Sequence, residues 1–164
     1  YKEKHMRILT VLLIVILWTT KSYALSPHQE QFISNVNVCI DNLPTKTFVP
    51  RKIIIGMAAL ESGWGTSRFF LQGNNLFGIR TFDPNVPNMK PLDNPNAEFG
   101  VKIYLHPCDS VLDMVSILKH SRNFTQFREM IFNGFSLYSA LAALQPWAED
   151  TSYDKKLEGI IRRL

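Results

Sequence analysis

Cysteine and histidine are scarce, with two and four copies among 164 residues. No Cys-rich zinc module can be built from them, and the histidines beyond the N-terminal stretch (His28, His106, His120) keep no metal-ligand spacing. No metal and no cofactor are expected. The chain has no internal repeat and no apolar run near the ~20 residues that a bilayer-spanning helix needs. What is present is 46% hydrophobic, 12% aromatic and 20% charged. That balance describes a globular chain and excludes disordered and collagen-like classes. One domain suits this length.

The longest apolar run, Ile8 to Trp18, is broken only by Thr10. Lys2, Lys4 and Arg7 precede or open it, and the small-x-small pattern Ser22-Tyr23-Ala24 follows. Residues 1–24 therefore read as a secretory signal with upstream residues, Met6 being the initiator. The expectation is an exported protein, periplasmic or extracellular, with a working domain at 25–164 and no stable membrane anchor after cleavage. Four cations and one anion leave with the signal, so the formal net charge of +4 falls to +1. No broad basic face remains for nucleic acid, and a monomer is expected. Export bears on Cys39 and Cys108. An oxidising compartment would let them pair, yet each also stands at an apolar helix position where a buried free thiol is common. Both readings stand.

Ser26-Pro27 is a helix start, and Phe32, Ile33, Val36, Cys39, Ile40 and Leu43 continue it as one apolar stripe up to Pro44. A second helix runs from Pro50-Arg51 to Glu61 and stops at Gly63 and Gly65. A short third, Ser67 to Gln72, leads into Gly73-Asn74-Asn75. Four prolines between Thr81 and Glu98 forbid a long helix there, and Phe99 to Tyr104 reads as a strand. The segment is predicted to be an irregular lobe with a small hairpin. Helices resume at Pro107, with Val111, Leu112, Val115 and Leu118 as the apolar stripe. Three more are expected at 124–132, 137–144 and 153–164. The fold class is mostly α (α+β).

One carboxylate stands at the foot of the apolar second helix, in Ala59-Leu60-Glu61-Ser62-Gly63-Trp64-Gly65. Apolar surroundings disfavour the charged form of a carboxyl and raise its pKa, as a general acid requires. The glycine-flanked bend can open a cleft, and Trp64 offers a flat face for a sugar ring. The same residues also fit an exposed last-turn Glu61 and a core Trp64.

The blocks A-L-E-S-G-W-G-T-S (59–67) and N-N-L-F-G-I-R (74–80) resemble the signature of the glucosaminidase domains of glycoside hydrolase family 73, within the lysozyme-like peptidoglycan hydrolases. Further blocks follow in the family's order. They are Val101 to Tyr104 with Asp109 to Asp113, N-F-T-Q-F-R at 123–128, and W-A-E-D-T-S-Y at 147–153. The similarity spans about 27–164.

The resemblance implies a lysozyme-like helical domain with a small β-lobe, acting as an endo-β-N-acetylglucosaminidase on the glycan strands of peptidoglycan. It carries the general acid to Glu61 and puts a second carboxylate in the lobe. Glu98, 37 positions on and directly before the Phe99 strand, is the choice over Asp93 and Asp83. Whether that carboxylate activates water, attacks the sugar, or only supports the substrate's own acetamido group stays open. Trp64, Asn75, Phe77, Gly78, Tyr104, Trp147 and Tyr153 are the candidate substrate-binding residues, although Phe77, with Leu76 and Ile79, is better suited to packing beneath the cleft. Trp147 stands where the family often has a tyrosine, and an indole cannot act as acid or base. The rival readings are a muramidase or lytic transglycosylase on the same fold, and a non-catalytic glycan-binding or assembly protein.

Overall fold

The computed structural model describes residues 24–164, so all but the last residue of the stretch expected to be a secretory signal lies outside the described residues. Helix α1 spans Pro27–Asp41, α2 Arg51–Ser62 and α3 Arg68–Gly73. Strands β1 (Arg80–Thr81), β2 (Asn88–Met89) and β3 (Gly100–Lys102) follow, then α4 (Pro107–His120), α5 (Thr125–Phe132), α6 (Leu137–Ala140) and α7 (Tyr153–Ile161). Short 3-10 turns at Arg122–Phe124 and Leu141–Trp147 complete the chain.

The start of α1 is fixed locally. Ser26 Oγ accepts from Gln29 N–H (3.2 Å) while Gln29 Oε1 accepts from Ser26 N–H (3.1 Å), a reciprocal capping box with Pro27 in the first turn. Helix α2 is the centre of the domain, with every residue from Ile53 to Ala59 buried. A helix apolar on all faces has to sit inside the fold. Helix α7 lies along it. A Cβ at Gly56 would stand 2.8 Å from Ile161 Cγ1, so only glycine lets α7 come this close.

The Pro-rich segment forms the lobe expected of it, a three-stranded antiparallel sheet in the order β1-β3-β2. Two departures from the sequence reading have clear causes. Leu112 is 44% exposed because Met114, at the i+3 position from Val111, takes the inward place on α4. The helix expected at 137–144 is only four residues long before it tightens into a 3-10 turn. Pro146, inside that turn, has no N–H to continue an α-helix.

Cys39 on α1 and Cys108 in the first turn of α4 form a disulfide, with Cα atoms 4.7 Å apart, joining positions 69 residues apart. A second tie runs from β3 to α4. Asp113 Oδ2 accepts from Lys102 Nζ (2.7 Å) and from Tyr104 Oη (2.6 Å).

Candidate active site

Helix α2 ends in an unusual turn, with φ of 57° at Gly63, 59° at Trp64 and 81° at Gly65. Buried Ser62 holds it, donating Oγ–H to Ala58 O (2.6 Å) and accepting from Gly65 N–H (2.8 Å). The turn leaves Glu61 on the last turn of α2, facing a groove of about 610 Å³. Phe77 and Trp147 line the groove, their rings edge to face at 6.4 Å. Ser121 and Asn123 come from the turn after α4, Arg80 from β1, and Glu149 and Asp150 from the segment before α7.

The Glu61 carboxyl is pushed up from 4.5 to about 7. Burial is the main cause, opposed by the hydroxyl of Tyr153 and then by the charge of Arg80. Tyr153 is buried at the head of α7. Its own pKa is raised by burial, then by the nearby Glu61 charge, so it stays neutral. No partner meets strict hydrogen-bond geometry at Tyr153 Oη, and among the described residues it is the one buried side-chain polar atom so placed. Its interaction with Glu61 is therefore loose, leaving a donor for the carboxyl once it ionises. Gly78, at φ 64°, brings the backbone up to the same carboxyl; a Cβ there would lie 3.9 Å from Glu61 Oε2.

The raised carboxyl has a cost in stability. Between pH 4.5 and 7 the folded protein holds a proton that the unfolded chain has released, so stability falls as pH rises through this window. The full effect is about 3 kcal/mol. Glu61→Gln escapes it. The variant is expected to exceed wild type by up to about 3 kcal/mol at pH 8 and to match it at pH 4. Urea unfolding at the two pH values measures this, and an equal difference at both would contradict the burial account.

Of the residues singled out in sequence, Glu61, Phe77, Gly78, Trp147 and Tyr153 meet in or against this groove. Four others do not. Trp64 is turned by its left-handed backbone onto α1, edge to face with Phe32 at 5.9 Å, and lines a separate apolar cavity beside the disulfide. Asn75 is buried and fully committed. Its amide donates to Ile79 O (3.0 Å) and Lys102 O (2.9 Å), while Oδ1 accepts from the N–H groups of Phe77 and Ile79. It shapes the loop beneath the groove and offers nothing to a ligand. Tyr104 is engaged with Asp113, outside the groove. Glu98 is exposed and does not line the groove, because its neighbours Ala97 and Gly100 take the inward positions at the entrance to β3. Asp83 and Asp93 are exposed as well and absent from it.

Arg80 and Glu149 were not singled out. They form an ion pair at 3.4 Å across the groove. Both lie in motif blocks, N-N-L-F-G-I-R and W-A-E-D, which was the available signal. Asp150 is held by Lys156 and by Ser152 N–H (2.9 Å), which keep its carboxyl below the usual range.

Residues 40–164 match the glucosaminidase family, described as mannosyl-glycoprotein endo-beta-N-acetylglucosaminidase. Protein bax of Escherichia coli (strain K12) is 31% identical over 81 residues, which cover 49% of this chain and 28% of that protein's length. The catalytic domain of the autolysin Auto from Listeria monocytogenes superposes with a TM-score of 0.64 at 22% identity, over 94% of this chain and 93% of that one. A C-terminally truncated glycoside hydrolase domain of Salmonella typhimurium FlgJ gives 0.60 at 22% identity, over 83% and 97%. At such identities the superpositions speak for the fold, while the family match covers most of the sequence. This chain belongs to the glucosaminidase family of glycoside hydrolases and carries its lysozyme-like helical fold.

Proposed function

We propose that the protein is an exported peptidoglycan hydrolase, an endo-β-N-acetylglucosaminidase that cleaves the β-1,4 bond after N-acetylglucosamine with Glu61 as general acid. The observation that carries this reading is a single carboxyl pushed up to about 7, facing a groove of about 610 Å³. At neutral pH about half of it holds a proton, which it can give to the leaving oxygen as positive charge builds at the anomeric carbon. Trp147 supplies a ring face, while Asn123 and Arg80 supply donors for acetamido and hydroxyl oxygens. Membership of the family and the autolysin and glycoside hydrolase names of the structural relatives favour peptidoglycan.

Export is supported by the Cys39–Cys108 disulfide, which suits an oxidising compartment, and residues 1–24 are proposed as its signal. No helix among the described residues is long and apolar enough to cross a membrane. Glu98 keeps a role in the reaction only if the Pro-rich lobe closes over the groove, a movement of the kind that completes many enzyme sites.

Release of new reducing ends from purified peptidoglycan tests the function; no release by folded protein contradicts it. The pH dependence tests the acid. Tyr153→Phe removes the hydroxyl that opposes the raised pKa of Glu61, so the alkaline limb of kcat/KM is expected to move to higher pH. An unmoved or lowered limb would show that Tyr153 does not act on this carboxyl.

A further inference from the structure

The lobe carries an aromatic strip outside the groove. Along the chain, Arg80 and Phe82 point to one face of the sheet and Thr81 is buried on the other. Thr81 pairs with Gly100, which sets Phe82 opposite Phe99, their rings edge to face at 6.2 Å. The Arg80 guanidinium lies over the Phe99 ring, 4.2 Å from its centroid, and the same guanidinium reaches Glu149 in the groove. Phe82, Phe99 and Arg80 thus form a continuous surface from the lobe to the site of Glu61. Phe82 is 73% exposed at its outer end. The ring packs edge to face on Phe99 and keeps most of its apolar surface in water.

We propose that Phe82, backed by Phe99 and Arg80, is a remote glycan subsite that stacks a pyranose ring of the strand beyond the sugars flanking the cleaved bond. The subsite rests on the reading of the groove as a glycan site. The occupant follows from continuity. A polymer lying in the groove and leaving past Arg80 runs onto this strip, and the apolar C–H face of a pyranose suits an aromatic ring held edge-on by its neighbour. Such a subsite makes the enzyme prefer long strands.

The test uses peptide-free peptidoglycan strands fractionated by length. Binding is measured in the Glu61→Gln background and turnover with Glu61 intact. Phe82→Ala is expected to weaken binding to long strands about three- to tenfold, with a matching rise in KM, and to change the shortest fragments less than twofold. Phe82→Trp should restore the long-strand affinity. Losses equal at every length, or absent, would overturn the subsite. If the parent cleaves strands and Phe82→Ala is neutral, the subsite alone falls. If strands bind through Phe82 but are never cleaved, the hydrolase reading falls and the subsite stands. No binding of any strand overturns both. Phe82 is exposed, so an unchanged melting temperature confirms that the variant is folded.

Discussion

Glu61→Gln is expected to lower kcat on peptidoglycan by about 10²–10⁴-fold while leaving glycan affinity within about twofold. The amide fills the same space at the end of α2 and keeps hydrogen-bonding capacity toward Tyr153, but it has no proton of the required acidity to transfer. That loss corresponds to about 3–5 kcal/mol of transition-state stabilisation. In the wild type the same carboxyl, as the proposed acid, is expected to set the alkaline limb. Because a general acid works only while protonated, kcat/KM is expected to fall above pH 7, about tenfold per unit once the limb is reached. Desolvation, the largest cause of the raised pKa, comes from α2 being buried on every face, so the fold that stabilises the helix also tunes its last carboxylate. Rates near wild type in Glu61→Gln would remove Glu61 from the chemistry.

Loss of the Cys39–Cys108 bridge is the largest effect expected on stability. The bond closes a loop of 69 residues, and the chain-entropy relation assigns such a loop about 4 kcal/mol. For a domain of this size the melting temperature should drop by roughly 10–15 °C. The bridge ties α1 to the start of α4, and α1 contributes no residue to the groove. Activity at low temperature should therefore survive in the Cys39→Ser, Cys108→Ser double variant even as its melting point falls. A drop of less than about 1 kcal/mol would mean that the apolar contacts of α1 already fix its position.

The sequence made most helix starts legible because each is set within one turn. Ser26 and Ser67 cap as their side-chain oxygens allow, and Pro27, Arg51 and Pro107 open helices near the expected places. Glu61 was legible for a similar reason, being the carboxylate in the last turn of an apolar helix before a glycine turn. Trp64 was not. Its direction depends on three consecutive left-handed residues, and a one-dimensional pattern does not say which way such a turn throws a ring. Asn75 looked like a polar residue free to bind, whereas its four hydrogen bonds are satisfied by the loop it organises and by Lys102 O on β3. Glu98, chosen in sequence as the second carboxylate, is exposed outside the groove, whereas Glu149 was not singled out and is brought to the groove by the tertiary path of the 147–152 segment. The disulfide was undecidable because the distance between residues 39 and 108 is a property of helix packing.

These placements shift attention within the site. In the groove Arg80 pairs with Glu149, and its charge also acts, as a lesser influence, on the Glu61 carboxyl. Substrate entering past Arg80 has to disturb the exposed Arg80–Glu149 pair, whose Glu side chain is 90% exposed. Such pairs are worth little on their own, so they form a weak barrier to a glycan strand.

The measurement that bears most directly on the central claim is a digest of purified peptidoglycan by wild type and Glu61→Gln in parallel, with new chain ends identified by mass spectrometry. Reducing N-acetylglucosamine ends made by wild type alone, with both proteins binding the strands, is the predicted result. Ends made equally by both, or none made by a folded wild type that binds, would contradict the account. Reducing N-acetylmuramic acid or anhydro ends made by wild type alone would keep Glu61 as the acid and overturn the assigned bond.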